Sequence, residues 1–381
     1  MRKQPAILGL LVIALLWTWQ FLTVHYNYGG NWTALFCIRP GMPVPDFLKS
    51  EKLFIFYGTE GYDGQVYHLI AHDPWMQKGS AQAIAGASFR YQRILVPALA
   101  WCLALGQDRW IHRAYFAVIL AFAFLGVHWL GLLSSKLGRS RLWGLAFALT
   151  PATVVSIDRM TADIALAAFT VGFALYSEPS WKSIALLTCA ALTRETALPI
   201  IAGYALYLIS KKQFFNGLLA AASALPAAAW YVYLTRRDPS PVRDYVDWVP
   251  LAGWIDRVLH PAVYTLSPMK AAIGQALDYV ALAGVALSLI FAARLAIRRR
   301  WDPQSAAVYA LAIAAVFLRS RSVWEDAYAF GRVLTPFFLL TALQDFAASP
   351  CLALLPMFLV DTRISLNLGA QILGVLRGLI G

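Results

Sequence analysis

KSIALLTCAALTRETALPIIAGYALYLISKK, residues 182–212, is the stretch on which the organisation of this chain turns. Lys182 at one end and Lys211-Lys212 at the other are bases of the kind that stay on the cytoplasmic side of a membrane. An even number of crossings must therefore separate them. The residues between are too few for two full spans, because a helix needs about 20 apolar residues to cross the hydrocarbon. Two legs of about 11–14 residues, at 1.5 Å rise each, reach only about 16–21 Å. The tip between the legs is Thr193-Arg194-Glu195-Thr196. It stops inside the membrane thickness, where a charge must face a wet cavity or a partner. The spacing predicts a broken helix of the kind that lines substrate sites. The competing reading is one long tilted helix with an internal Arg194–Glu195 ion pair.

The surrounding chain agrees with a membrane setting. Of 381 residues, 60% are hydrophobic and 14% charged, a balance no soluble globular domain has. Apolar runs of about 15–22 residues recur, without the alternation of barrel strands. The class is all-α: a polytopic helical membrane protein with about 10–12 membrane helices or half-helices. A first, uncleaved span is expected at 6–24, since no small-x-small cleavage site follows it. Further spans are expected at 114–133, 142–157, 163–177, 214–234, 271–293, 304–318 and 333–346. Two short legs over 351–380 would meet at Asp361-Thr362-Arg363.

Residues 25–113 read as a long first extracytoplasmic loop, with the short apolar run 94–105 lying along the membrane surface. Residues 235–270 read as a second such loop, with one short helix at 251–260. Residues 1–381 form a single integral membrane domain with no internal repeat and no soluble domain. The net charge of +12 is assigned to loops that orient the helices, not to nucleic acid. The four cysteines have no metal spacing; Cys37 and Cys102 share the outer side, where a disulfide is open to them in an oxidising compartment.

The first loop carries the stretch Gly61-Tyr62-Asp63-Gly64-Gln65-Val66-Tyr67-His68. Asp63 can cap a short helix that runs to Asp73 and stops at Pro74. The same placement lets its carboxylate take a proton from an acceptor at the membrane surface. Tyr67 shares its helical face, and Gln65 and His68 can hydrogen-bond a sugar or phosphate. His68 and His72 have the i, i+4 spacing of metal ligands, with Asp73 a third donor. This is too little to assign a metal, so none is assigned and a divalent ion is left open.

Arginines stand where the charge rule predicts few: Arg90, Arg93, Arg159, Arg194 and Arg332 among them. An anion on that side would account for them, since guanidinium forks match phosphate. Each could instead pair locally: Arg159 with Asp158 or Asp163, Arg194 with Glu195, Arg332 with Asp326. Asp73, Asp163 and Glu195 are second-rank acids. No phosphate-binding glycine loop and no nucleophile elbow is present.

Tyr62-Asp63-Gly64-Gln65, Arg93-Ile94-Leu95-Val96-Pro97, Leu192-Thr193-Arg194-Glu195-Thr196 and Gly331-Arg332-Val333-Leu334-Thr335-Pro336, in that order, resemble signatures of bacterial GT-C-like proteins. The likeness to this superfamily of membrane glycosyltransferases covers most of residues 1–346. It implies inverting transfer of a sugar from a polyprenyl-phosphate donor, at the extracytoplasmic face of the cytoplasmic membrane. Asp63 would be the general base. Arg159, Arg194 and Arg332 would stabilise the leaving phosphate, and Arg93 would position donor or helix. The chain departs from better-known members in lacking an adjacent acid pair after the first helix and a large soluble C-terminal domain. A glycan or lipid acceptor is therefore expected, not a peptide. A transporter or flippase of an anionic lipid or sugar, or a non-catalytic scaffold, would use some of the same features.

Overall fold

The computed structural model describes residues 4–239, 248–265, 267–319 and 321–380. About 75% of the chain is helical, and an isolated β-bridge joins Ile38 and Ile55. The order opens with α1 (Gln4–Tyr28), α2 (Asp63–His72), α3 (Ser80–Ala83), α4 (Ala87–Tyr91), α5 (Leu95–Leu103) and α6 (Ile111–Lys136). It continues with α7 (Pro151–Arg159), α8 (Asp163–Leu175), α9 (Trp181–Thr193), α10 (Leu198–Ser210), α11 (Phe214–Ala222) and α12 (Leu225–Arg237). Then come α13 (Ala252–Leu259), α14 (Pro268–Ile297), α15 (Pro303–Val316), α16 (Arg321–Trp324), α17 (Ala327–Asp345), α18 (Pro350–Asn367) and α19 (Gly369–Ile380).

By length and composition, α1, Asp108–Lys136, Phe214–Arg237 and α14 can each cross a membrane, and α18 with α19 qualifies as a pair bent by 52°. These are the helices of a multi-pass membrane protein. Leu10, Leu11, Leu15, Trp17 and Phe21 of α1 are exposed, an apolar face that water would not tolerate and acyl chains would. Helix α17 sits at the centre: every residue from Ala327 to Gln344 is buried. Gly284 lets α14 lie directly against α18, because a Cβ there would fall 2.4 Å from the Pro356 carbonyl oxygen.

The 182–212 stretch is broken as its spacing predicts. Helix α9 ends at Thr193, Arg194 is extended at φ −165° and ψ 146°, and a 3₁₀ turn over Glu195–Ala197 leads into α10. Pro199, in the first turn of α10, has no N–H to continue a helix from upstream. Each leg has 13 residues, or about 20 Å. The stretches 94–105 and 251–260 each carry a short helix, α5 and α13.

Other boundaries differ. The stretch 142–157 is not one span but a 3₁₀ helix, Arg141–Leu149, followed by α7. Thr150 and Pro151 make the break: the Thr150 hydroxyl accepts from the Thr153 N–H at 3.3 Å and Pro151 starts the new helix. Helix α18 runs through Asp361-Thr362-Arg363, so the bend after it falls at Leu368 instead. Within the second loop, residues 240–247 lie outside the described residues. Cys37 and Cys102 are free thiols, with Cys102 exposed.

Polar ties close one end of the bundle. Arg139 donates to the carbonyls of Ala347 and Ala348, Arg141 to Gln4, Arg300 to the Gln344 carbonyl and Trp301 to Ser210. This end gathers Lys136, Lys182, Lys211, Lys212 and Arg298–Arg300. The break at Arg194 and the starts of α2, α8 and α17 lie at the other end.

Candidate functional site

Gly61, at φ +74°, turns the chain and Tyr62 is extended, so α2 begins at Asp63. Gly64 seats that first turn: a Cβ there would lie 2.1 Å from the Arg159 carbonyl oxygen. The Asp63 carboxylate takes part in ion pairs with arginines. Arg90 pairs with one oxygen; Arg332 donates to the other at 2.5 Å and Arg93 lies 3.6 Å from it.

The pairing continues into a closed ring. Arg332 also donates to Asp163 at 3.0 Å, Asp163 accepts from Arg194, and Arg194 Nε lies 3.5 Å from Glu195. Glu195 accepts from Arg93 at 2.7 and 3.1 Å, and Arg93 returns to Asp63. Three carboxylates and three guanidiniums thus alternate around the ring, with Arg90 attached at Asp63. Four positive charges against three negative leave one net positive charge.

The elements that position these groups are all short or interrupted. Asp163 opens α8 and Glu195 follows the α9 break. Arg332 stands on α17, where Asp326 caps the helix by accepting from the Tyr328 N–H at 3.1 Å. Arg332 thus lies within a helix that starts ahead of the span expected at 333–346, and its carboxylate partners are Asp63 and Asp163, not Asp326. The Arg332 guanidinium lies 4.9 Å from the Tyr62 ring centre, a cation–π contact. Burial raises the cost of charge on Asp63, but Arg332, Arg90 and Arg93 outweigh it and hold its carboxyl well below the usual range.

Asp63 and all four arginines line a cavity of about 700 Å³, together with Tyr264, Asp326 and Arg363. The Nε atoms of Arg194 and Arg332 are buried and make no hydrogen bond, although Arg194 Nε stands 3.5 Å from Glu195. These are spare donors of the type an anion would take up. Arg90, 26% exposed at its side chain, is the most solvent-accessible of the four arginines. A second acid–base cluster borders the cavity: Asp278 accepts from Arg363 at 2.8 Å, Arg257 at 3.2 Å and Tyr264 at 2.5 Å.

Other residues singled out in the sequence stand elsewhere. Tyr67 is fully buried and accepts from Arg93 at 3.1 Å, so it positions that guanidinium from behind. Gln65 lines the cavity, but its side chain accepts from the Arg39 N–H at 3.1 Å and donates to the Glu60 carbonyl at 3.4 Å. His68 is not a cavity residue: it is buried between Phe36 and His112. Asp73 is not at the site either; its carboxylate accepts from the N–H groups of Gln77, Lys78 and Ser80 at 2.6, 2.8 and 3.2 Å and closes the turn after α2.

Arg159 is outside the ring, paired with Asp158 at 2.9 Å. It lines a smaller cavity of about 400 Å³ that shares Gly61, Tyr62, Asp326 and Asn367 with the first. Arg90, counted in the sequence only among the outer arginines, and Arg363, placed there only at a turn between two legs, also line the site. Arg90 stands three residues before Arg93, a spacing that puts both on one helical face, and Arg363 is a charge inside an apolar run.

A larger cavity, about 980 Å³, lies between α1 and α6, with aromatic walls and Lys52, Arg109 and Arg113. No carboxylate lines it. Behind α2, Glu51, His68, His72 and His112 form a separate group of metal-binding type. A scan of protein-family models finds no match to this chain, and neither curated proteins nor solved structures give one.

Proposed function

We propose that this protein is a GT-C-like glycosyltransferase that moves a sugar from a polyprenyl phosphate to a glycan or lipid acceptor at the extracytoplasmic face of a membrane. The observation that carries the reading is the ring of Asp63, Arg332, Asp163, Arg194, Glu195 and Arg93, whose one excess positive charge comes from Arg90 attached at Asp63, with Asp63 and all four arginines on one cavity. A sugar phosphodiester carries one negative charge, which matches that excess. The guanidinium Nε atoms of Arg194 and Arg332, neither of which makes a hydrogen bond, offer it donors. The positive-inside rule makes the Lys- and Arg-rich end cytoplasmic and this cavity extracytoplasmic.

In the reaction, Asp63 accepts the proton of an acceptor hydroxyl. The hydroxyl oxygen attacks the anomeric carbon, and the bond from that carbon to the phosphate oxygen breaks with inversion. The departing phosphate gains negative charge, which Arg194 and Arg332 stabilise. A carboxylate held by three guanidiniums is a weak base. Phosphate binding draws arginine contacts away from Asp63 and returns its basicity before proton transfer.

The test is transfer from a polyprenyl-phosphate sugar by the purified full chain. Asp63→Asn is expected to cut the rate roughly 10²–10⁴-fold while donor binding persists; full activity would remove Asp63 as base. Arg194→Ala is expected to weaken donor binding, and unchanged affinity would contradict its role. A second reading, a transporter or flippase for an anionic lipid, draws on the depth of Arg194 at the end of a 13-residue leg. Movement of lipid-phosphate sugar across proteoliposomes without chemical transfer would favour it.

A further inference from the structure

On the side of α2 away from the arginine ring, four side chains converge whose pattern of hydrogen bonds is incomplete. Glu51 comes from the first loop, His68 and His72 from successive turns of α2, and His112 from the first turn of α6. One donor atom from each lies within 4.8 Å of the other three. His68 Nε2 is 2.6 Å from His112 Nε2; His112 Nδ1 is 3.3 Å from Glu51, and His68 Nε2 is 3.8 Å from it. His68 and His72 are fully buried.

A hydrogen bond between His68 and His112 would satisfy one pair of nitrogens and no more. His72 Nε2 and Glu51 Oε2 remain buried and make no hydrogen bond. Orphaned polar atoms of this number are costly unless something binds them. The outer contacts are those of a metal site. His72 Nδ1 meets Asp108 at 2.9 Å, which turns Nε2 toward the cluster, and Lys78 holds Asp108 at 3.2 Å. Phe36 packs against His68 and His112, and Phe47 against His72, forming an apolar collar.

We infer that Glu51, His68, His72 and His112 bind one divalent transition ion of the zinc type, in a four-ligand site of three imidazoles and one carboxylate. Imidazole and carboxylate donors in a tetrahedral set suit zinc. The two positive charges of the ion offset Glu51 and Asp108. None of the four ligands lines the 700 Å³ cavity, so the ion does not touch the ring. Its role is structural: it fastens the helix that begins with Asp63 to α6 and to the preceding loop. His112 also lines the 980 Å³ cavity, which gives an ion a route in. The inference stands on its own geometry and does not depend on the proposed transferase activity.

The probe is Zn(II) or Co(II) itself with the purified full chain in detergent. After chelation and reloading, elemental analysis is expected to give one zinc per chain, with a higher Tm than the chelated protein. The Co(II) form is expected to show the strong visible bands of a tetrahedral site. His72→Ala and His112→Ala should lose the stoichiometric metal, while His128→Ala, on α6 but outside the cluster, should keep it. Substoichiometric zinc in the wild type, or equal loading of all variants, would overturn the inference. Where an alanine variant fails to fold, the wild-type spectrum decides: Co(II) bands of an octahedral or weakly held ion would overturn it.

Discussion

Arg332 shows at the residue scale how the site is held. It bridges Asp63 on α2 and Asp163 on α8, with its side chain 7% exposed. Removing one partner of a buried pair leaves the other charges without compensation. Arg332→Ala is therefore expected to destabilise the protein by about 3–5 kcal/mol, read as a drop in Tm. A near-neutral change would mean the bridge does not hold the fold. Arg332→Lys keeps the charge but loses the planar fork, and is expected to fall between the two. The reach of these side chains was not legible in the sequence. Local pairing held for Arg159 with Asp158, because they are adjacent. It did not account for Arg332, whose partner Asp63 is 269 residues away. His68 misled for a related reason: its spacing to His72 was visible, but Glu51 and His112 come from other segments and only the fold brings them in.

The helix scale explains why α2 can deliver Asp63 to the ring. Its first turn lies against the backbone of α7, and Gly64 is the only residue type that fits there without displacement. Gly64→Ala is expected to cost about 1–3 kcal/mol through a shift of that turn and to lower donor binding with it. Gly369→Ala, whose Cβ meets nothing within 4 Å, is the control, with a change of less than about 0.5 kcal/mol. Thermal melts of both variants check the pair. Element existence was largely legible from apolar runs and flanking bases: α1, α5, α6, α13 and α14 sit where the pattern places them. The break at Arg194 was legible because Lys182 and Lys211 bracket too few residues. The split at Thr150 was not. There the cap and the proline are local signals inside an uninterrupted apolar run, and a window of span length averages them away.

For the whole molecule, the separation of charge between the two ends sets the expected topology. With native cysteines replaced, Glu60→Cys is expected to react with a membrane-impermeant maleimide on intact cells. Arg299→Cys should react only after permeabilisation. The opposite pattern would put the cavity in the cytosol and end the proposed use of an extracytoplasmic donor. Both positions are exposed, so lack of reaction would not arise from packing.

Helix α19 lies against α1: Asn27 donates to the Gln371 carbonyl across 344 positions of sequence, and Gln371 donates to Asp158 at 2.5 Å. A seam between segments so distant in order of synthesis cannot form while the ribosome is still delivering the middle of the chain. The opening helix must wait in the lipid, half covered, until the late segment arrives to join it. Biogenesis is therefore expected to have a vulnerable interval, in which insertion chaperones or membrane proteases compete for an unfinished bundle.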